Sequence, residues 1–467
     1  MKPATSLAGV SANVGQGPRF SLMDIGHPDY AVLIEGDTGF WTLVPRAEAG
    51  EYLLGNFIPQ IFMEHQEHFQ REMQTLRFEL IPSAVYFNPT ERCNLNCSYC
   101  YIPSDIRLGG MDMPPLRLLQ ALEMLSDYFG RTLPEGVMPQ IIFHGSEPMM
   151  VRDAVFAGIE RYGNRFRFGI QTNGTMLDDA ALAFIQAHQV SLGLSLDAPV
   201  ADIADQTRKN WQGRGVYGVV APLLDRLADY PNYSVICTVT QTNVDRLTDM
   251  VEFLHGAGVR VAMLNPVRCT QPGGRDLKPD DQVFARHFSA ALERSHDLFQ
   301  ATGRKLVIAN FANILIGIVA PLARRLMCDI SPCGGGRCFF ALSARGDLFP
   351  CSEFIGIPEF RGGNLFNTPV EDILRTRPFQ DMTSRKVEDF EPCRSCAIRH
   401  FCGAPCPAEI YMCSQTLHAP APYCEFYVEQ AKFAFRVIAA GQVDNYVWDG
   451  WKEGTEQSFA LPTISSI

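Results

Sequence analysis

Cys93, Cys97 and Cys100 stand together in the run Glu91-Arg92-Cys93-Asn94-Leu95-Asn96-Cys97-Ser98-Tyr99-Cys100. Their C-x3-C-x2-C spacing suits three thiolates that hold a four-iron cluster and leave one iron open to a substrate or cosubstrate. A fourth cysteine would close the cluster and favour electron storage over chemistry. A structural zinc site is the plainer alternative, but it wants a fourth ligand at matching short spacing. The next histidine, His144, is 44 residues beyond Cys100. A disulfide reading needs an oxidising compartment. The start, Met1-Lys2-Pro3-Ala4-Thr5, lacks the apolar run of a signal peptide. The longest apolar stretch, Leu306 to Val319, falls short of the ~18 residues of a membrane span. The expectation is a cytoplasmic protein without a membrane partner, whose grouped cysteines bind metal.

A second group of cysteines lies downstream. Of fifteen in the chain, ten fall between Cys328 and Cys424 inclusive, in a region also rich in Gly and Pro. They read Cys333-x4-Cys338-x12-Cys351, then Cys393-x2-Cys396-x5-Cys402-x3-Cys406, then Cys424. Eight cysteines suffice to close two further four-iron clusters, with a pair of zinc sites as the alternative. The net charge of −11 argues against a nucleic-acid groove, which needs a basic field to neutralise phosphates. Small molecules, a peptide or a protein partner suit an acidic chain better.

These residues need elements to position them, and the 467-residue chain is long enough for one large domain with smaller ones beside it. From Ser83 onward, strand-like and helix-like segments alternate. Candidate strands are Ala84–Asn88, Gln140–His144, Phe166–Gln171, Val190–Ser195, Ser234–Thr240 and Val259–Asn265. Helical patterns lie near Pro115–Phe129, Val151–Tyr162, Asp178–Ala187, Gly218–Asp229 and Val244–His255. Six strands alternating with helices imply an α/β fold with a parallel sheet, open or curled into a partial barrel. Reactive groups in such folds gather at the carboxyl ends of the strands, where the three-cysteine segment falls. Ahead of this, residues 1 to about 20 are expected to be poorly ordered. Ala31–Ile34 and Phe40–Val44 flank a Gly/Asp turn and suggest a hairpin, and Gln60–Phe78 reads as a helix. The hairpin and helix form either a peptide-docking module or a packing cap, and the absence of chemical groups favours the cap.

The Cys93–Cys100 motif, with Tyr99 before its last cysteine and a first strand before it, resembles the radical S-adenosylmethionine (radical SAM) superfamily. The resemblance implies a partial (β/α)6 barrel in which the amino and carboxylate groups of SAM chelate the open iron. One electron then cleaves SAM to methionine and a 5′-deoxyadenosyl radical, which takes a substrate hydrogen. His144-Gly145-Ser146-Glu147-Pro148 resembles the family's Gly-Gly-Glu-Pro segment, with Ser146 in place of the second glycine, and is implied to contact the SAM amino group. Thr172-Asn173-Gly174 and Ser195-Leu196-Asp197 fall at further strand ends. Arg208, with Ser195, is implied to hold the SAM carboxylate, its plainer reading being a solvated surface charge. The implied cofactor contacts are therefore Tyr99, Gly145, Ser146, Glu147, Asn173, Ser195, Asp197 and Arg208.

The downstream array, with Gly346 ahead of Cys351, resembles the SPASM extension of peptide- and protein-modifying radical SAM enzymes. By that resemblance Cys333, Cys338, Cys351 and Cys406 hold one auxiliary cluster, and Cys393, Cys396, Cys402 and Cys424 another, giving three [4Fe-4S] clusters. Cys237, Cys269, Cys328 and Cys413 are left as buried thiols, with Cys328 or Cys413 able to replace an assigned ligand. The implied organisation is an N-terminal segment over 1–82, a radical SAM domain over 83–325, a SPASM domain over 326–430, and a helix and tail over 431–467.

The resemblance implies a maturase that crosslinks a ribosomally made peptide or small protein, through a cysteine thioether or a carbon–carbon bond. It also implies a low-potential electron donor such as flavodoxin or ferredoxin as a partner. In sulfatase-maturing relatives an aspartate follows the cysteine at the place of Cys351 and acts as base. Here Ser352 stands there, and serine does not readily accept a proton at neutral pH. Glu353, one residue further, is the candidate base, with an ordinary surface glutamate as its plainer reading. The reading without catalysis is an iron–sulfur electron carrier.

Overall fold

A computed structural model describes residues 19–54 and 58–451. The expectations for residues 1–18 and for the tail from residue 452 therefore fall outside the described residues.

Three short strands, β1 (Phe20–Met23), β2 (Tyr30–Glu35) and β3 (Trp41–Pro45), form an antiparallel sheet in that order. The expected hairpin is β2–β3, with Ala31 opposite Val44 and Leu33 opposite Thr42. The first strand adds an edge that four half-buried residues gave no periodic signal for. Helix α1 (Gln60–Gln74) follows and ends in a wider turn over Thr75–Glu79, so the expected single helix changes pitch there. This unit sits against the far end of the chain. The Trp41 indole donates to the Ile318 carbonyl at 2.9 Å and packs edge-on against Phe435. The buried Arg77 guanidinium forks onto both carboxylate oxygens of Glu388.

The central sheet has ten strands. Six run parallel in chain order, β4 (Ala84–Phe87), β5 (Gln140–Phe143), β6 (Arg167–Thr172), β7 (Ser191–Ser195), β8 (Tyr233–Val239) and β9 (Val261–Pro266). Each connection between parallel neighbours is a crossover, and helices fill them. They include α2 (Pro115–Thr132), α3 (Arg152–Tyr162), α4 (Asp179–Ala187) and α5 (Leu247–Gly256). Buried apolar residues line the register, with Val85 beside Ile141, Ile141 beside Phe168, and Leu194 beside Val235. The helix expected over Gly218–Asp229 is instead two short pieces, Tyr217–Val220 and Leu223–Leu227. Pro222 sits between them, where its missing N–H cannot continue the ladder.

The sheet extends beyond these six strands on both sides. After α6 (Asp281–Thr302), β10 (Val307–Ile308) joins β9 in parallel and leads into the buried helix α7 (Ala309–Val319). On the other side β11 (Phe339–Leu342) pairs in parallel with β4. It continues antiparallel to β12 (Asp347–Phe349) and β13 (Gly363–Asn364). The cysteine-rich region thus shares a sheet with the β/α repeat, its first strand lying directly beside the strand that leads into Cys93. It ends with α8 (Pro407–Ser414) and α9 (Cys424–Ala439), the latter packing across α6 and α7. Among the described residues no helix is long and apolar enough to cross a membrane.

Candidate active site

The carboxyl ends of β4 to β9 point to one edge of the sheet, and the chemistry-bearing residues collect there. The cysteine loop leaves β4 and is pinned from two sides by backbone bonds. Cys93 N–H donates to the Arg107 carbonyl at 2.9 Å, Asn96 N–H to Lys209 at 2.7 Å, and Ser98 N–H to Thr207 at 3.0 Å. The nearly buried Arg107 guanidinium lies inside the loop and donates to the Leu95 carbonyl at 3.0 Å and the Ile102 carbonyl at 2.9 Å. Nothing in the sequence singled out Arg107, because a loop-bracing guanidinium has no spacing signature.

The loop turns its three thiols toward one another. Burial pushes the Cys93 thiol up to about 12, with the Glu147 carboxylate as the next cause and Cys97 and Cys100 adding to it. Burial likewise pushes Cys97 up to about 11, against the opposing positive charge of Arg208. Thiolates in this setting need a cation among them, and an iron–sulfur cluster held by the three sulfurs supplies it, so these residues fit the group.

Around the loop, the strand ends form an interlocked polar set. Glu147 is fully buried, and its carboxylate accepts from Met149 N–H at 3.0 Å, the Thr172 hydroxyl at 2.7 Å and Asn173 N–H at 2.8 Å. It therefore staples the end of β5 to the end of β6. The Ser146 hydroxyl donates to the Glu91 carbonyl at 2.7 Å. Gly145 has φ +103°, and a Cβ there would meet the Asn88 amide nitrogen at 2.1 Å, so only glycine lets the segment lie this close to the β4 loop. The Asn173 side chain donates to Asn94 at 2.8 Å and reaches to 3.8 Å from the Cys93 sulfur.

Tyr99, Asp197 and Arg208 form a second buried set. The Tyr99 hydroxyl donates to Asp197 at 2.5 Å, and Arg208 Nη1 donates to the Tyr99 oxygen at 2.8 Å. Arg208 stands 3.7 Å from Asp197, and both side chains are almost wholly buried, so Arg208 is not a solvated surface charge. Asp197 also accepts from Thr238 N–H at 2.9 Å, which fixes the end of β7 to β8. Ser195, the last residue of β7, is half-buried on the same rim.

The downstream cysteines fall into two groups. In the first, Cys333 Sγ and Cys351 Cβ both lie 3.5 Å from the place a Cβ on Gly335 would occupy. Burial raises the Cys351 thiol, and the neighbouring Cys406 and Cys328 raise it further. Cys328 in turn is raised by packing and by Cys333 and Cys406. Cys338, expected in this set, lies beside Cys333 and Arg337. In the second group, Cys393, Cys396, Cys402 and Cys424 act on one another electrostatically. Cys413 is elsewhere, its S–H donating to the Cys269 carbonyl at 3.4 Å, and Cys328 and Cys413 are both exposed at the surface rather than buried as expected. Cys237 and Cys269 are buried thiols.

Between the Cys93 loop and the first downstream group lies a charged bridge. Glu353 is not a surface glutamate: its side chain is 17% exposed and lies 3.6 Å from Arg268 Nε. Burial holds its carboxyl above the usual range, with Arg268 opposing. Arg268 also faces the fully buried Glu409 at 3.3 Å, and Glu409 accepts from Cys269 N–H at 2.6 Å. Arg268 and Glu409 carried no sequence signal, because they meet only when the β9 loop reaches α8.

Comparison with known proteins agrees with this geometry. The radical SAM superfamily model matches residues 87–254, and the SPASM iron–sulfur cluster-binding domain model matches 333–397. An uncharacterized protein of Archaeoglobus fulgidus is 41% identical over 88% of this chain and 92% of its own length. A cysteine-type anaerobic sulfatase-maturating enzyme of Clostridium perfringens is 20% identical over 76% of this chain and 96% of its own. The subtilosin biosynthesis protein AlbA of Bacillus subtilis is 23% identical over 69% of this chain and 67% of its own. Among solved structures, native anSMEcpe with bound AdoMet and the Cp18Cys peptide superposes with a TM-score of 0.67 at 17% identity. The match covers 78% of this chain and 99% of that one, and it shows a shared fold.

Proposed function

We propose that this chain, which belongs to the radical SAM superfamily and carries a C-terminal SPASM domain, is a maturase that crosslinks a ribosomally made peptide or small protein, through a cysteine thioether. The observation that carries this reading is the placement of the Cys328–Cys333–Cys351–Cys406 group beside the Cys93 loop. Tyr101 links the two regions, acting electrostatically with Cys100 on one side and Cys351 on the other, and the parallel pairing of β11 with β4 keeps both in one sheet. When bound, the cluster and SAM supply a one-electron reductive cleavage and a radical able to take hydrogen from unactivated carbon.

The protein residues bind and orient. Cys93, Cys97 and Cys100 would hold the first cluster. The carboxylate of Glu147 is engaged by three donors, so the backbone carbonyls of Gly145 and Ser146 are left to receive the SAM ammonium. Arg208 and Ser195 would receive the SAM carboxylate, with Tyr99 and Asp197 fixing the guanidinium. Two auxiliary clusters would be held by Cys333, Cys351 and Cys406 with Cys328 in the place expected for Cys338, and by Cys393, Cys396, Cys402 and Cys424. Four thiolates around each would leave no open iron, and clusters held this way would supply one-electron acceptors. Glu353, paired with Arg268 between the two regions, is the carboxylate placed to receive the accompanying proton.

Formylglycine formation is the second reading, favoured by the similarity to the sulfatase-maturating enzyme and opposed by Ser352 where those relatives place an aspartate. Co-expression with the short peptides encoded beside the gene, followed by mass spectrometry, separates the readings. A crosslink removes a pair of hydrogens and leaves no carbonyl. Formylglycine reacts with a hydrazide probe. Unchanged masses for every neighbouring peptide would remove the crosslinking reading.

A further inference from the structure

Between α4's sheet neighbour β7 and strand β8, the chain makes a tight excursion over Lys209–Gly215 that lies on the Cys93 loop. Lys209 and Gly215 form an antiparallel bridge, and Asn210 bridges to Leu95 in the cysteine loop. The Asn210 side chain accepts from Gln212 and Arg214 N–H at 3.0 Å each, which holds the tip in shape. Gln212, Gly213, Arg214 and Gly215 are exposed, while Trp211 is half-buried beneath them. The Trp211 indole N–H donates to the Cys93 carbonyl at 2.8 Å, and the Arg107 guanidinium stacks 5.5 Å from its ring. A large, polarisable ring thus runs from the protein surface to the backbone of a cluster-ligand cysteine through one hydrogen bond.

The charge of this spot departs from that of the chain. The protein carries −11 overall, yet the segment Lys209-Asn210-Trp211-Gln212-Gly213-Arg214-Gly215 holds two cations and no acid. Asp205, the carboxylate beside the turn, is turned inward and accepts from Val216 N–H at 2.8 Å and Tyr217 N–H at 2.9 Å. Asp105 and Asp202, on the short helices Ser104–Gly109 and Ala201–Thr207, carry the exposed acids of the segments next to the loop. Lys209 and Arg214 on the acid-free turn itself favour the approach of an acidic partner to its tip.

We propose that the Lys209–Gly215 turn, centred on Trp211, is the docking port for an acidic, low-potential one-electron carrier protein. This rests on the reading that Cys93, Cys97 and Cys100 hold a redox-active cluster. The reduced carrier loses one electron, the cluster gains it, and no bond or proton is exchanged. Trp211 shortens the gap between the two and is not itself oxidised.

The test compares two donors on reconstituted full-length protein, with cluster reduction followed by stopped-flow bleaching and electron paramagnetic resonance. One donor is reduced flavodoxin, an acidic carrier, and the other is photoreduced deazaflavin, a small molecule that needs no docking. Lys209→Glu with Arg214→Glu is expected to slow reduction by flavodoxin about tenfold at low salt, the difference closing at high ionic strength, and to leave deazaflavin reduction unchanged. Trp211→Phe is expected to lower the flavodoxin-to-deazaflavin rate ratio without changing iron content. Wild-type flavodoxin rates in the charge-reversed protein at low salt would overturn the proposal. Equal losses with both donors in Trp211→Phe would reassign Trp211 to bracing the cysteine loop. Because reduction is read directly, a protein that accepts the electron yet makes no 5′-deoxyadenosine would sink the enzymatic reading and leave the port standing.

Discussion

The Tyr99 hydroxyl donates to the Asp197 carboxylate at 2.5 Å, which ties the cysteine loop to the end of β7 and sets the position of Arg208. Removing either partner has different consequences. Tyr99→Phe deletes a hydrogen bond and leaves Arg208 paired with Asp197. SAM affinity should fall about three- to tenfold, as expected for a bond worth about 1 kcal/mol, with iron content preserved. Equilibrium dialysis with labelled SAM measures it.

Asp197→Ala should be far more damaging, because it strands a buried guanidinium. Losing one member of such a pair costs about 3–5 kcal/mol. Chemical denaturation of the anaerobically purified protein should show a lower midpoint for Asp197→Ala and only a small change for Tyr99→Phe. Equal midpoints for the two variants would mean that Arg208 finds another partner.

Iron content separates the candidate auxiliary ligands. Cys328 shares a neighbourhood with Cys333, Cys351 and Cys406, whereas Cys413 sits against the Cys269 carbonyl. Cys328→Ser should lose a cluster's worth of iron, about four atoms per chain. Cys413→Ser should lose none. Iron loss in Cys338→Ser with none in Cys328→Ser would restore the set that the SPASM resemblance implies.

A buried acid outside the site offers a pH test. Glu72 on α1 is buried with no hydrogen-bond partner for either oxygen among the described residues, and burial raises its carboxyl to about 8. The folded state therefore binds this proton more tightly than the unfolded state. Stability from Glu72 is full below its ordinary value of 4.5 and is lost as pH rises toward about 8. Glu72→Gln should flatten that decline and be the more stable protein above the window, by an amount on the order of a few kcal/mol. Thermal melts across the range check it, and parallel curves would contradict it.

The parallel sheet was legible because its strands are short apolar runs separated by helical patterns, and each observed strand lies within about two residues of its expected place. Strands outside the β/α repeat were not legible. The first strand, β10 and the β11–β13 extension gain their pairing from neighbours distant in sequence, and no local period marks them. The same physics divides the site. Cysteine spacing and strand-end motifs show in sequence because a cluster or a tight turn demands them. Arg107, Trp211, Arg268 and Glu409 act by filling space and charge created only on folding. Glu353 shows the limit well, since a carboxylate near a ligand cysteine reads as surface until the β9 loop brings Arg268 against it.

The three-cysteine loop should support reductive cleavage of SAM. The direct measurement is 5′-deoxyadenosine formed by reconstituted, chemically reduced protein, quantified by liquid chromatography with mass detection. The expected result is time-dependent formation in the wild type and none in Cys97→Ser. A wild-type protein with full iron content and bound SAM that forms no 5′-deoxyadenosine under reducing conditions would contradict it.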